Sequence, residues 1–263
     1  MRADGRRRMD YRFFDMNTEV VLSANGSARL QLDHTDVLVA VKVAIGEPDV
    51  ATPDQGRVEC SVTCAPSASL RYEGRGAETL NVYLTSGLSR LISSAVDVKK
   101  LSIVPRSQCW VVYVDAIVLD SSGNLRDALS MAAYAALKTT TVPAIQVVKG
   151  EDAKETIVEV SDDPFETIPL PINKQLPISI SLTKIGACFV VDSSGEEESC
   201  MSAKVTFAID RDGKICSTTK TGIGGISSDM LMEMMRVAAE KGKEMVAKIE
   251  SKLKDDDTKK PFI

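Results

Sequence analysis

The segment that most restricts the fold runs from Cys109 to Lys138, CWVVYVDAIVLDSSGNLRDALSMAAYAALK. From Trp110 to Leu119 the residues are apolar or β-branched at nearly every position, broken only by Asp115, which is the pattern of a strand covered on both faces. Asp120, Ser121, Ser122 and Gly123 then turn the backbone, and a helix follows with Leu125, Ala128, Leu129, Ala132, Ala133, Ala136 and Leu137 on one stripe. Asn124 or Ser122 is placed to accept from the free amides of the first turn. The amino terminus of this helix points beyond the end of the strand. With Gly123 allowing close approach and Arg126 one turn in, such an end can hold a phosphate through backbone amides and the helix dipole. The signal is weak by itself, because most strand, Gly turn, helix units hold nothing.

The rest of the chain supplies an α+β context for that unit. Strand patterns cover Glu19 to Ser23, Ala28 to Leu32, Asp36 to Ile45 and Arg57 to Thr63, an antiparallel meander punctuated by Asn25-Gly26 and Asp33-His34. Leu80, Leu84, Leu88, Leu91 and Ala95 change the period to that of a helix between Ala77 and Ala95. Proline and acidic residues gather between Gly150 and Pro177 and mark a crossing. Beyond it, strands are predicted near Ile178 to Ile185, Ala187 to Asp192, Ala203 to Asp210 and Lys214 to Thr219. The Gly222–Gly225 turn has no P-loop lysine and reads as a tight turn before a long helix capped by Ser227 or Ser228. That helix buries Leu231, Met234, Met235, Ala238, Met245, Val246, Ile249 and Leu253, and Gly242 lets another element come close.

Composition excludes several function classes. A chain of 263 residues with 44% apolar content has room for one large or two ordinary domains. Its apolar runs are too short and too interrupted to span a bilayer, and its start lacks the apolar core of a signal peptide, so an intracellular, non-membrane protein is expected. The net charge of -5 argues against a surface that coats nucleic acid throughout, though not against a local basic channel. The single histidine, His34, reads as a turn residue and leaves little room for histidine-based catalysis. Six cysteines are scattered through strand patterns with no CxxC pair, so they read as buried thiols and no metal is assigned. The first twelve residues carry five arginines, which reads as an exposed basic arm.

Taken in order, these pieces resemble the RNase PH family. The resemblance is carried by Arg2-Ala-Asp-Gly-Arg6, Asp10-Tyr-Arg12, Gly26-Ser-Ala-Arg29, His34-Thr-Asp36-Val-Leu38, Glu73-Gly-Arg75, Pro105-Arg106 and Trp110 to Asp115. Gly123-Asn-Leu125, Asp127-Ala128, Ser161-Asp-Asp-Pro164, Val191-Asp192 and Glu196-Glu-Glu198 continue it. It implies an α+β domain of the ribosomal protein S5 domain 2-like type over residues 1–155, a smaller α+β domain over 156–255 and a solvated tail over 256–263. It also implies assembly into a six-membered ring. Active members release nucleoside diphosphates from RNA 3′ ends by phosphorolysis, which needs cations for phosphate and carboxylates for a divalent ion.

This chain departs from the active pattern at each of those points. Where active members read Gly-Thr-Arg at the helix start, it has Asn124-Leu125-Arg126, so the hydroxyl is lost and the arginine kept. A phosphate-binding arginine of the preceding helix falls on Gly87, with Arg90 retained nearby. The two catalytic aspartates fall on Glu198 and Lys204, and a lysine there repels the metal that a carboxylate would ligate. The resemblance therefore implies a non-catalytic ring subunit of the eukaryotic RNA exosome, with no cofactor of its own. Its implied partners are related ring subunits, cap subunits of the S1/KH type, hydrolytic RNase subunits and single-stranded RNA, in nucleus, nucleolus and cytoplasm. Arg90, Arg106 and Arg126 are the implied RNA-phosphate contacts. The alternative is a phosphorolytic 3′-to-5′ exoribonuclease, active alone or lending cations to a neighbour's site.

Overall fold

The computed structural model describes residues 2–149, 156–161, 163, 166–172 and 175–259; Asp162 and Pro164 of the acidic motif and residues 260–263 of the expected tail fall outside them. Strands β1 (Phe14–Thr18), β2 (Gly26–Leu32) and β3 (Thr35–Gly46) form an antiparallel meander. On the far side of β3 lie β6 (Gln108–Asp120), antiparallel, and then β4 (Arg57–Cys64), parallel to β6. A parallel pair needs a crossover, and α1 (Glu78–Ser93) with its flanking 3₁₀ turns supplies it before the short β5 (Ser102–Val104) pairs back on β6. Alternation in β3 puts Val37, Val39 and Val41 wholly inside.

Helix α2 (Leu125–Thr139) follows β6 and lies between two sheets, on β2 and β3 of the first and on β11 (Ile178–Ile185) of the second. Every residue from Asp127 to Leu137 is buried. The five alanines among them keep the helix thin enough for both sheets to reach it. Two short antiparallel pairs follow, β7 (Thr141–Pro143) with β10 (Thr167–Pro169) and β8 (Ile145–Lys149) with β9 (Thr156–Val160). The second sheet is antiparallel in the order β12, β11, β13, β14, with β12 at Cys188–Val191, β13 at Ala203–Ile209 and β14 at Ile215–Thr221. A short helix, α3 (Gly195–Ser199), joins β12 to β13, and the long α4 (Ser228–Lys259) closes the chain.

The buried face of α4 is as the spacing predicts. Ser227 Oγ accepts from Met230 N at 3.4 Å, and Met234, Ala238, Met245, Val246 and Ile249 are buried. A Cβ on Gly242 would lie 2.5 Å from Ile209 Cγ2, the close approach expected of that glycine. The helix also reaches back to the first sheet and to α2. Lys252 Nζ donates to Asp15 at 2.7 Å, Thr18 Oγ1 to Asp256 at 3.3 Å and the Tyr134 hydroxyl to Glu250 at 3.0 Å. The expected solvated tail from 256 therefore begins as helix, its first residue held by β1.

Three other expectations are corrected. The strand expected at Glu19 to Ser23 is loop, because Glu19 takes φ 55 and ends pairing, while the strand lies earlier where Phe14 and Met16 face the core. β6 is covered on both faces only as far as Val112; Tyr113, Asp115, Ile117 and Leu119 are exposed on the outer face of the sheet. Of the cysteines, Cys188, Cys200 and Cys216 are exposed rather than buried.

The arginine-rich start is the largest correction, since Arg2, Arg6 and Arg12 turn to the second domain, while Arg7 and Arg8 are exposed as expected. Asp192, fully buried at the end of β12, accepts from Arg12 Nη2 at 2.8 Å, Arg12 Nε at 2.9 Å, Arg6 Nη1 at 2.9 Å and Asn124 Nδ2 at 2.8 Å. Arg2 donates to Glu197 at 2.7 Å and 2.5 Å and to the carbonyls of Val191 and Asp192. Burial opposes ionisation of Asp192, and the Arg12 hydrogen bonds and charge outweigh it, holding the carboxyl below its usual 3.8. A depressed carboxyl stabilises the fold fully above that usual value and loses the contribution as pH falls through the lower folded value. Asp192→Asn or Arg12→Ala should cost about 3–5 kcal/mol in urea unfolding near neutral pH, since each leaves a buried partner unmatched. Asp192→Asn should also flatten the loss of stability of the wild-type chain below pH 3.8.

Candidate functional site

A cleft of about 850 Å³ opens where the end of β6, the start of α2, α1 and α3 meet. Arg71, Tyr72, Tyr83 and Arg126 line it from the first domain, Glu198 and Lys204 from the second, with Gly123 and Leu125 between them. The sharp turn into α2 makes this possible. Gly123 has φ +91, and a Cβ there would sit 2.6 Å from Gly195 N, so only glycine lets α3 come this close. Gly195 N donates to Ser122 O at 3.0 Å across the same contact.

Asn124 does not cap α2 with its side chain. It takes the left-handed conformation at φ 56, and its Nδ2 donates to Asp127 at 3.0 Å and Asp192 at 2.8 Å. The cap comes from elsewhere in the chain, because Glu198 Oε1 accepts from Asn124 N at 2.9 Å. The same oxygen accepts from Lys204 Nζ at 2.6 Å and Ser193 Oγ at 3.3 Å. The two positions that the resemblance matches to a pair of metal-binding aspartates thus face one another, as an ion pair whose side chains are 29% and 12% exposed. A divalent cation at Glu198 would have to displace an ammonium, so the residues present do not fit magnesium. Among the described residues no group of three or more His, Cys, Asp and Glu is arranged to hold a metal ion.

Beneath this pair lies Asp127, fully buried and accepting from Tyr11 Oη at 2.9 Å, Ser181 N at 2.9 Å, Ser181 Oγ at 2.7 Å and Asn124 Nδ2. Burial pushes its carboxyl above the usual value, against the charge of Lys204 and the donors from Ser181 and Asn124. With four donors for two oxygens it is a structural acceptor joining α2 to β11.

Arg126 Nη1 donates to Tyr83 Oη at 2.9 Å, and its guanidinium lies over the Tyr83 ring at 5.3 Å from the centroid. Gly87, one turn further along α1, leaves the room, since a Cβ there would lie 3.2 Å from Arg126 Nη2. Gly87 and Arg126 are therefore neighbours. Arg90 and Arg106 are exposed and do not line the cleft, Arg90 in the last turn of α1 and Arg106 in the β5–β6 turn at φ 68. The sequence reading missed Arg71, Tyr72 and Tyr83; the last stands four residues before Gly87, the helical spacing that places an aromatic beside a bare patch.

The two domains have counterparts in known proteins. Residues 10–143 match the profile of the 3′ exoribonuclease family, domain 1, and residues 175–241 that of domain 2 of the same family. The chain belongs to the RNase PH family. It is 36% identical to the putative exosome complex exonuclease RRP42 of Dictyostelium discoideum, over 97% of this chain and 93% of that protein. It is 37% identical to exosome complex component Rrp42 of Thermococcus kodakarensis, over 94% of this chain and 89% of the relative. Among solved structures, a chain of the Archaeoglobus fulgidus exosome with RNA bound to the active site superposes with a TM-score of 0.81 at 32% identity, covering 94% of this chain and 92% of that one. Rice Rrp46, at 18% identity and a TM-score of 0.70, shares the fold.

Two substitutions separate the tight glycine from the permissive one. Gly123→Ala should destabilise the chain by more than about 2 kcal/mol, through left-handed backbone and the clash with α3. Gly87→Ala should be neutral or stabilise by up to about 1 kcal/mol, because Arg126 can swing aside and the helix gains propensity. Thermal melts of the two variants check both outcomes.

Proposed function

We propose that this chain is a non-catalytic ring subunit of an RNA exosome, which holds related subunits in a six-membered ring and helps to guide single-stranded RNA towards degradation and processing from its 3′ end. The observation that carries the non-catalytic part is the Lys204 ammonium on Glu198 at 2.6 Å. Phosphate attack on a phosphodiester concentrates negative charge, which active members offset with a divalent ion between carboxylates. Here the second carboxylate position holds a cation that is already neutralised. The relatives named as exosome components, matched over nearly the full length of this chain, support the ring assignment.

RNA contact then rests on spaced cations rather than on a reaction site. Exposed Arg90 and Arg106, with Arg126 at the cleft, are the proposed phosphate contacts, which hold a strand without reading its bases. Cap subunits of the S1/KH type and hydrolytic RNase subunits belong to the same proposal.

The purified chain, incubated with magnesium, phosphate and 3′-labelled RNA, should release no nucleoside diphosphate. In an extract a tagged chain should migrate far above its own 28.4 kDa and bring other RNase PH-like subunits with it. Release of nucleoside diphosphate by the chain alone would establish the phosphorolytic alternative instead. Arg106→Glu in the assembled ring should shorten the RNA segment protected from nuclease; unchanged protection removes Arg106 from the contacts.

A further inference from the structure

The two main sheets end in four edge strands, β1, β4, β12 and β14, and three of these are covered by another part of the chain. Along β4 the amides of Val62 and Cys64 donate to Thr85 Oγ1 and Asn81 Oδ1 of α1, each at 3.0 Å. At β12 the amide of Val191 donates to Arg8 O at 2.9 Å, and its carbonyl accepts from Arg2 at 2.8 Å. β1 is held by α4, through Lys252 on Phe14 O at 3.4 Å and Thr18 on Asp256. Among the described residues β14 has no such cover: its backbone makes no hydrogen bond beyond those it shares with β13. We propose that β14 is the docking strand for another polypeptide, an extended segment with carboxylates near both of its ends, which pairs with this edge and extends the second sheet. The inference goes beyond the ring assignment and does not depend on it.

The strand is built for pairing. Ile215 to Thr221 reads Ile-Cys-Ser-Thr-Thr-Lys-Thr, with four β-branched residues, no proline and one charge. Its one irregularity lies at the Ile215 end, so Ser217 to Thr221 keep a regular register and present alternate backbone groups outward. Charge selects the occupant. Exposed Lys214 and Lys220 stand at the two ends of the strand, and Lys243 lies across Gly213 in the turn before it, against one exposed acid there, Asp212. A second copy paired antiparallel on this edge would bring each Lys214 beside the other copy's Lys220, and like charges across paired strands repel. A segment with Asp or Glu at those places gains ion pairs instead. Lys220 uses one donor on Gly222 O at 2.9 Å and keeps the rest of its ammonium for a carboxylate. The turn after the strand adds an apolar anchor. Ile223 is wholly exposed, and the loop that displays it is fixed by Gly224 N on Ser202 O at 2.8 Å, Lys184 on Gly225 O at 2.6 Å and the close seat of Gly222 on Ser202. An isoleucine held out in this way gains burial only from a partner.

The test compares the full-length chain alone with the assembly that a tagged chain brings out of extract, by hydrogen exchange and by carbodiimide cross-linking. In the chain alone the outward amides of residues 217 to 221 should exchange freely, and in the assembly they should exchange at least about tenfold more slowly. Carbodiimide should join Lys214 or Lys220 to an Asp or Glu of a different polypeptide. Lys220→Glu and Ile223→Ser, both at exposed positions, should keep the native melting temperature and together weaken binding of that polypeptide at least about tenfold. Unchanged exchange of residues 217 to 221 on assembly overturns the proposal. So do cross-links that join two copies of this chain, or a folded double variant that binds as tightly as wild type. RNase PH-like subunits co-purifying with an unprotected β14 overturn this inference and leave the ring assignment standing. A protected β14 without those subunits does the reverse, and a chain that brings nothing with it overturns both.

Discussion

The structure turns on one buried carboxylate. Asp192 sits at the end of an edge strand of the second sheet and gathers Arg6 and Arg12 from the start of the chain and Asn124 from the turn into α2. An ionised group at that depth is tolerable only because its oxygens are matched by guanidinium and amide donors. Through those donors the amino-terminal arm, the α2 turn and the second sheet take up fixed positions together. The geometry of the cleft, including the placing of Glu198 against the Asn124 amide, follows from that anchor.

The same junction has its own electrostatics, centred on Lys204. Lys204 stands where active relatives are expected to carry an acid, and it serves two carboxylates. It pairs directly with Glu198, and its charge favours ionisation of the buried Asp127. Arg126, the surviving cation of the helix start, lies on Tyr83 in the space left by Gly87. Lys204 and Arg126 thus each have a partner within their own domain, and it is Glu198, by accepting from the Asn124 amide, that joins the two.

What was legible in the sequence was whatever is set by local period. The valines of β3, the leucine stripe of α1 and the buried face of α4 stand where spacing placed them, because each is decided within a few residues. The arginine-rich arm was misread because its partner Asp192 is 180 residues from Arg12 along the chain, and no local pattern announces such a pair. Asn124 was misread for a similar reason, since a good capping residue loses that role when a carboxylate from a later helix supplies the cap. In the cleft, the family resemblance singled out Leu125, Glu198 and Lys204. Tyr83 and Arg71 were invisible because their part depends on how α1 and the turn before it lean over α2.

Helix α4 ties the end of the chain to its beginning: Thr18 is held by Asp256 and Asp15 by Lys252, 238 and 237 residues apart. During synthesis, then, the outer edge of the first sheet stays open while the ribosome translates everything in between. A nascent chain lacks the contacts that α4 makes with β1 until residues 252 to 256 have emerged, so its need for a chaperone, or for a waiting partner, lasts across those 237 residues of synthesis.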